Sequence, residues 1–264
     1  MSRLPTILAV DTTATPVSCA VVRDGRVLSS YFSHTGLTHS QTLLPMVEHV
    51  LRLTELTPEN LDAIAVDVGP GSFTGVRIGV AAVKGLAFAH QIPCVAVSTT
   101  QAMAQPFAGL PADATVCCVM DARRRQVYTA RYALDADGTL TRLTPDEAIT
   151  VDELTAALRA ERENCGKTEK NQKKSVILVG DGAEMCYNTM KDELPGVTLA
   201  PPALRMQSAV GTALCAERLF AEGQTVTPEQ LLPVYLRLPQ AERELRSRLA
   251  AEQAASADRP STGQ

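Results

Sequence analysis

The sequence predicts an α/β protein of two RNase H-like units, each a mixed sheet flanked by helices, at residues 1–102 and 103–203. Three observations predict it. The first hundred residues read as β-β-β-α-β-α-β, a hairpin meander followed by parallel crossovers. Ile7–Val10 and Ala63–Val68 read as buried strands. A second hairpin and a second strand-to-helix segment follow Thr99, so the unit recurs.

Ile7-Leu8-Ala9-Val10 reads as a buried strand ending at Asp11-Thr12-Thr13. Val17–Val22 and Arg26–Tyr31 are strands joined at Asp24-Gly25, a strong hairpin signal. Thr38-His39-Ser40 offers cap oxygens to a helix through Leu53, with Leu43, Leu44, Val47, Val50 and Leu51 at helical spacing. Pro45 is tolerated in its first turns if the helix begins near Thr42. Ala63–Val68 is a strand running into Gly69-Pro70-Gly71-Ser72-Phe73-Thr74-Gly75, then a helix over Val76–Ala89 and a strand over Ile92–Val97.

In the second unit, Thr115–Met120 and Gln126–Leu134 are strands joined by Asp121-Ala122-Arg123-Arg124-Arg125. Val151–Ala160 is a helix with Asp152 and Glu153 in its dipole-favoured first turn. Glu161–Ser175, polar and Lys-rich, reads as a loop, and Val176–Val179 as a strand entering Gly180-Asp181-Gly182. Ser208–Ala221 is a helix closed by Gly223, and residues 204–240 are expected to pack back on the first unit. Residues 241–264, charged and then Ala/Ser/Pro-rich, are expected to be a disordered tail. This is the outline of the actin/hexokinase/Hsp70 (ASKHA) architecture.

Of the 264 residues 45% are hydrophobic, enough for an ordinary core, and the formal net charge is −4 without a basic stripe. Tight unaided nucleic-acid binding is therefore not expected. The opening MSRLPTILAVDTT has too short an apolar run for a secretory leader, and no window approaches a membrane span, so a cytoplasmic protein is expected. The seven cysteines are scattered without a Cys-x-x-Cys pair, and adjacent Cys117 and Cys118 point to opposite sheet faces. Buried reduced thiols are the expectation.

The most informative segment is Asp67–Gly79. Its glycines lie between a strand and a helix, where backbone N–H groups can approach an anion. It lacks the Gly-Lys-Ser/Thr ending of a Walker A loop and does not match the dinucleotide fingerprint. On the residues alone a tight turn set by Pro70 and Gly71 outweighs anion binding. Asp11, Thr12, Gly71, Ser72, Gly180 and Gly182 are the candidate nucleotide-contacting residues. Against this, three consecutive arginines stand where the second unit would need a phosphate loop of glycine and small hydroxyls.

Gly75 and Gly79 are four apart in the second helix, Ala82 and Ala89 continue that side, and Ala81 and Gly85 lie beside it. With the wide apolar face of the preceding helix they point to a docking face for a partner or second copy. Its candidate residues are Leu43, Val47, Val50, Gly75, Arg77, Gly79 and Ala82. His34, His39 and His49 show no i, i+4 spacing, and no acidic partner is suitably placed, so no metal is expected. No Ser or Cys stands with a His in a recognisable nucleophile context, and no catalytic residue is assigned.

ILAVDTT at Ile7–Thr13, HSQTLLP at His39–Pro45, GPGSFTGVRIG at Gly69–Gly79, DARRRQVY at Asp121–Tyr128 and PVYLR at Pro233–Arg237 together resemble the TsaB (YeaZ) family. The likeness runs to about Pro239, and the Lys-rich insertion and the tail lie outside its pattern. It implies an ASKHA fold and a non-catalytic role beside TsaD. That paralogue transfers threonylcarbamoyl from its adenylate to N6 of the adenosine beside the anticodon of ANN-decoding tRNAs. TsaE, an ATPase, joins the complex, and TsaC or its relatives make the adenylate. TsaD's metal-binding His-x-x-x-His motif is absent here, where Ser40–Leu53 offers only His49.

The resemblance further implies a four-helix bundle between the first unit's two helices and the same pair of TsaD, or of another copy. A homodimer in isolation, tRNA contact only through the complex, and no cofactor beyond ATP or ADP at the partner interface complete the expectation. Two rival readings share parts of the pattern. An actin-like ATP-dependent small-molecule kinase would use Asp67 or Asp11 as its carboxylate, and a metallopeptidase would need metal ligands the sequence does not offer.

Overall fold

A computed structural model describes residues 5–165 and 175–237. The first sheet begins with β1 (Thr6–Asp11), buried throughout, paired antiparallel with β2 (Val17–Arg23), which pairs with β3 (Arg26–Ser33). The hairpin turns at Asp24 and Gly25, both at positive φ. Helix α1 (His39–Leu53) follows, then β4 (Ala63–Gly69), helix α2 (Phe73–His90) and β5 (Cys94–Ser98). β4 runs parallel to β1 and β5 parallel to β4, giving the order β3-β2-β1-β4-β5.

A short helix α3 (Thr99–Ala104) leads to the second sheet. There β6 (Ala114–Asp121) and β7 (Gln126–Leu134) form the hairpin, and β8 (Leu140–Arg142) and β9 (Glu147–Thr150) both pair with β7. Helix α4 (Val151–Cys165), β10 (Ser175–Val179), α5 (Ala183–Met190) and β11 (Val197–Leu199) complete it. Read from its far edge, this sheet runs β8-β7-β6-β10-β11. Strand for strand, with β9 as an addition, that is the order of the first sheet, and the duplicated RNase H-like plan of the ASKHA fold is realised. A one-turn α6 (Pro202–Arg205) returns the chain to α7 (Ala209–Ala221).

Strand alternation splits the core into layers. Leu8 and Val10 face α1 and α2, while Ile7 and Ala9 face α7, so α7 seals the first sheet's second side. In β6 Cys117 and Val119 face α4 and α5, while Val116, Cys118 and Met120 join Met103 and Phe107 on the α3 side. All six described cysteines are buried, and burial raises Cys19, Cys117, Cys186 and Cys215 to about 12. They are protonated, packed side chains.

Several elements depart from the sequence expectation. α1 begins at His39, without a side-chain cap bond from Thr38, so Pro45 sits a turn deeper than expected. α2 begins at Phe73 rather than Val76, because the Ser72 hydroxyl accepts from the Gly75 amide at 3.3 Å and caps the helix earlier. α4 runs five residues beyond Ala160. Its Glu161 pairs with the buried Arg131 of β7 at 3.2 Å, a tertiary contact that holds the polar turn helical. The rest of the expected Lys-rich loop, 166–174, and the expected tail, 241–264, lie outside the described residues.

Candidate functional site

β1 and β4 are adjacent and parallel in register, Val10 beside Val66, so their C-terminal ends bring Asp11 and Asp67 together. Both are 1% exposed. Asp11 Oδ1 accepts from the amide and the hydroxyl of Thr13, at 2.8 and 2.7 Å. Asp67 Oδ2 accepts from the Thr212 hydroxyl at 2.9 Å, whereas Oδ1 faces no donor. Burial raises both carboxyls, and the neighbouring Asp11 raises Asp67 further, well above the ordinary carboxylate range.

These carboxyls do not reach the surface. The cleft between the two sheets, of about 1030 Å³, is lined instead by Thr13, Ser72, Phe73, Asp121, Asp181 and Tyr235 among others. Of the six candidate nucleotide-contacting residues, Gly71 and Ser72 line it and Asp11, Thr12, Gly180 and Gly182 do not. Thr12 donates its hydroxyl to Gly75 O at 2.7 Å. The Gly180 amide donates to Arg205 O at 2.6 Å and the Gly182 amide to Val119 O at 3.2 Å. These groups are spent on internal bonds, a pairing across sequence that no local motif reveals. Asp181 does line the cleft, accepting from Gln207 Nε2 at 3.1 Å and the Asp121 amide at 3.2 Å, and burial raises it.

Sequence reasoning missed the cleft's aromatic rim. The rings of Phe73 and Tyr235 lie 4.8 Å apart, and the Arg77 guanidinium sits 4.7 Å above Phe73. The PVYLR segment was the available signal. Arg123, Arg124 and Arg125 all adopt positive φ in the exposed β6–β7 turn. Arg123 pairs with Asp121 at 3.4 Å and Arg125 with Asp152 at 3.3 Å.

The second candidate surface is the α1–α2 layer, and here the residue assignment needs correction. Leu43, Val47 and Val50 are buried against the first sheet, so they are core rather than contact residues. Gly75 and Gly79 face Thr12: a Cβ on Gly75 would overlap the Thr12 carbonyl, and one on Gly79 would lie 2.5 Å from Thr12 Oγ1. Ala82 packs half-buried on the same core. Of the seven residues assigned, Arg77 alone is exposed. The apolar stripe was visible in sequence, but the sheet beneath takes that stripe first.

What the helices present outward is a different set. α1 exposes Leu44 and Leu53, 49% and 60% accessible. α2 exposes Thr74, Arg77, Ala81, Gly85 and Phe88, the last 59% accessible. Their spacing of three and four keeps them on one side. A Cβ on Gly85 would meet nothing within 4 Å.

Among the described residues no group of three or more His, Cys, Asp or Glu could hold a metal ion. His39 Nε2 lies 3.1 Å from Thr15 O, His49 stacks edge-on to Tyr31 at 5.0 Å, and His90 pairs with Glu59 at 2.9 Å. Nor is any described helix long and apolar enough to cross a membrane.

Comparison with known proteins agrees with this architecture. A family model described as TsaD, tRNA N6-adenosine threonylcarbamoyltransferase, matches residues 33–245. The tRNA threonylcarbamoyladenosine biosynthesis protein TsaB of Escherichia coli is 34% identical over 233 residues, 88% of this chain and 94% of that protein. TsaB of Bacillus subtilis is 30% identical over 90% and 96% of the two chains. The solved structure of YeaZ from Pseudomonas aeruginosa superposes with a TM-score of 0.69 at 30% identity, over 88% of this chain and all of that one. The sequence motifs, the duplicated sheet order and relatives matched almost end to end lead to one assignment: the chain belongs to the TsaB family of tRNA threonylcarbamoyladenosine biosynthesis proteins.

Proposed function

We propose that this chain is a non-catalytic partner subunit of a TsaD-type threonylcarbamoyltransferase, docking through the outward faces of α1 and α2. The observation that carries the reading is Gly85. A glycine inside a helix costs up to about 1 kcal/mol against alanine, and a side chain here would have open space. Among the described residues nothing requires it, whereas close approach by another helix does. Ala81 and Phe88 beside it supply the small and apolar surface such a contact buries.

The partner class follows from likeness of fold. The family model spanning residues 33–245 is that of the transferase, so a TsaD-type subunit would present an equivalent helix pair to this one. A homodimer through the same helices is the state proposed for the chain alone. A TsaE-type ATPase would join the assembled pair, and tRNA would be met through the complex, in keeping with the net charge of −4. Any ATP or ADP would bind where the subunits meet. The absence of a catalytic role is supported by the sealed Asp11 and Asp67, which the kinase reading would need at the cleft surface.

Light-scattering gel filtration of the chain with its TsaD-type subunit tests the proposal. A one-to-one or higher complex, lost on Gly85→Trp while circular dichroism is unchanged, is the expected result. Independent elution of the two proteins would overturn it.

A further inference from the structure

The residues after α7 do not simply trail away. Val226 exchanges backbone hydrogen bonds with Cys94 at 2.9 Å each, placing the segment beside β5. Lys84 of α2 then donates to the carbonyls of Glu229 and Leu231, both at 3.2 Å, and the Leu231 side chain is buried in the first unit's core. Further on, the Val234 amide donates to Val68 O at 2.7 Å and Tyr235 stacks on Phe73. Finally the Arg237 guanidinium reaches the second unit, donating to Ala122 O at 2.8 Å in the β6–β7 turn. The segment thus runs from β5 along α2 and reaches the opposite lip of the cleft, which Val234–Arg237 help to line.

Other side-chain bonds between the units, among the described residues, are made away from this strap. Ser98 and Thr100 donate to Asp146, the former at 2.8 Å, and Thr100 meets the Tyr132 hydroxyl at 3.1 Å. The Cys118 thiol donates to Thr100 O at 3.2 Å, and Gln207 Nε2, just before α7, donates to Asp181 Oδ1 at 3.1 Å. These lie where the chain crosses between the sheets, at α3, which shares a packed layer with the second unit, and at the entry to α7. A joint held at these crossings and bridged along the cleft by a strap has the form of a hinge with a clasp.

We propose that Leu231–Arg237 is that clasp: anchored to β4 and α2, it holds the second unit through Arg237 and the Ala122 carbonyl, and so sets the opening of the cleft. The PVYLR segment has a physical task in this arrangement. Tyr235 fixes the strap's course on Phe73, and Arg237 supplies a long, always charged donor that can span the gap. The inference does not depend on the docking reading, because the hinge, strap and cleft all belong to the isolated chain.

The test is a distance measurement between spin labels at Glu48→Cys on α1 and Ala156→Cys on α4, both exposed, with Cys165 replaced by serine. The full chain should give one narrow distribution. Arg237→Ala should add a longer-distance population, the open-to-closed ratio rising about fivefold. Arg218→Ala, which removes an equal charge from α7, should leave the distribution unchanged. A distribution for Arg237→Ala superimposable on the parent, whatever its melting temperature, overturns the proposal. So does an equal shift from Arg218→Ala.

Discussion

The hydroxyl of Thr12 occupies the space where a side chain on Gly79 would begin: a Cβ there would lie 2.5 Å from Oγ1, which itself donates to Gly75 O at 2.7 Å. α2 therefore rests on the end of β1 through two glycines. Gly85, six residues along the same helix, has open space instead.

This contrast predicts opposite outcomes for one substitution. Gly79→Ala should destabilise the chain by about 1–3 kcal/mol through overpacking. Gly85→Ala should stabilise it by up to about 1 kcal/mol through helix propensity. Denaturant unfolding of the two variants against the parent measures both signs.

Phe88 separates docking from folding. It is 59% accessible, so Phe88→Ala should change monomer stability by no more than about 0.5 kcal/mol. At the proposed interface the same change should weaken binding of the TsaD-type subunit about tenfold, a loss of about 1.4 kcal/mol. Calorimetric titration beside a thermal melt distinguishes the two.

The Asp11–Asp67 pair predicts a pH dependence. The folded state raises both carboxyls, mainly by burial, so it binds protons more tightly than the unfolded chain. Their contribution is fully present below the unfolded carboxylate pKa and is lost as pH rises through the raised folded values. Asp67→Asn keeps an acceptor for Thr212 without a charge. It should raise stability at pH 7, do little near pH 3, and flatten the intervening slope in urea midpoints.

Lys84 predicts where the strap is weakest. Lys84→Ala removes the donor to Glu229 O and Leu231 O, so the segment should open locally more often. Hydrogen exchange at the Val234 amide, which bonds Val68 O, should quicken about tenfold while amides of β1 keep their rates.

Much of the fold was legible because its signals are local. The Asp24-Gly25 turn takes the positive φ values its composition demands, and β1, β4 and α7 lie where their apolar periodicity put them. The short β8, β9 and β11 and one-turn α6 were not foreseen, since three or four residues carry no period to read. Nor was the end of α4, held by an ion pair to Arg131 thirty residues earlier.

By itself the sequence determined the two-unit α/β plan, the family, and the helix pair worth inspecting, because strand alternation, helical spacing and short motifs are written along the chain. Tertiary structure decided which side of those helices is free. Leu43, Val47, Val50, Gly75 and Gly79 satisfy any description of an apolar, small-residue face, yet the first sheet lies beneath them and they are spent there. It also decided that Asp11 and Asp67 are sealed and that Arg237 bridges the cleft. Burial and long-range pairing depend on which surfaces the rest of the chain covers, and a one-dimensional pattern carries that information only after it has folded.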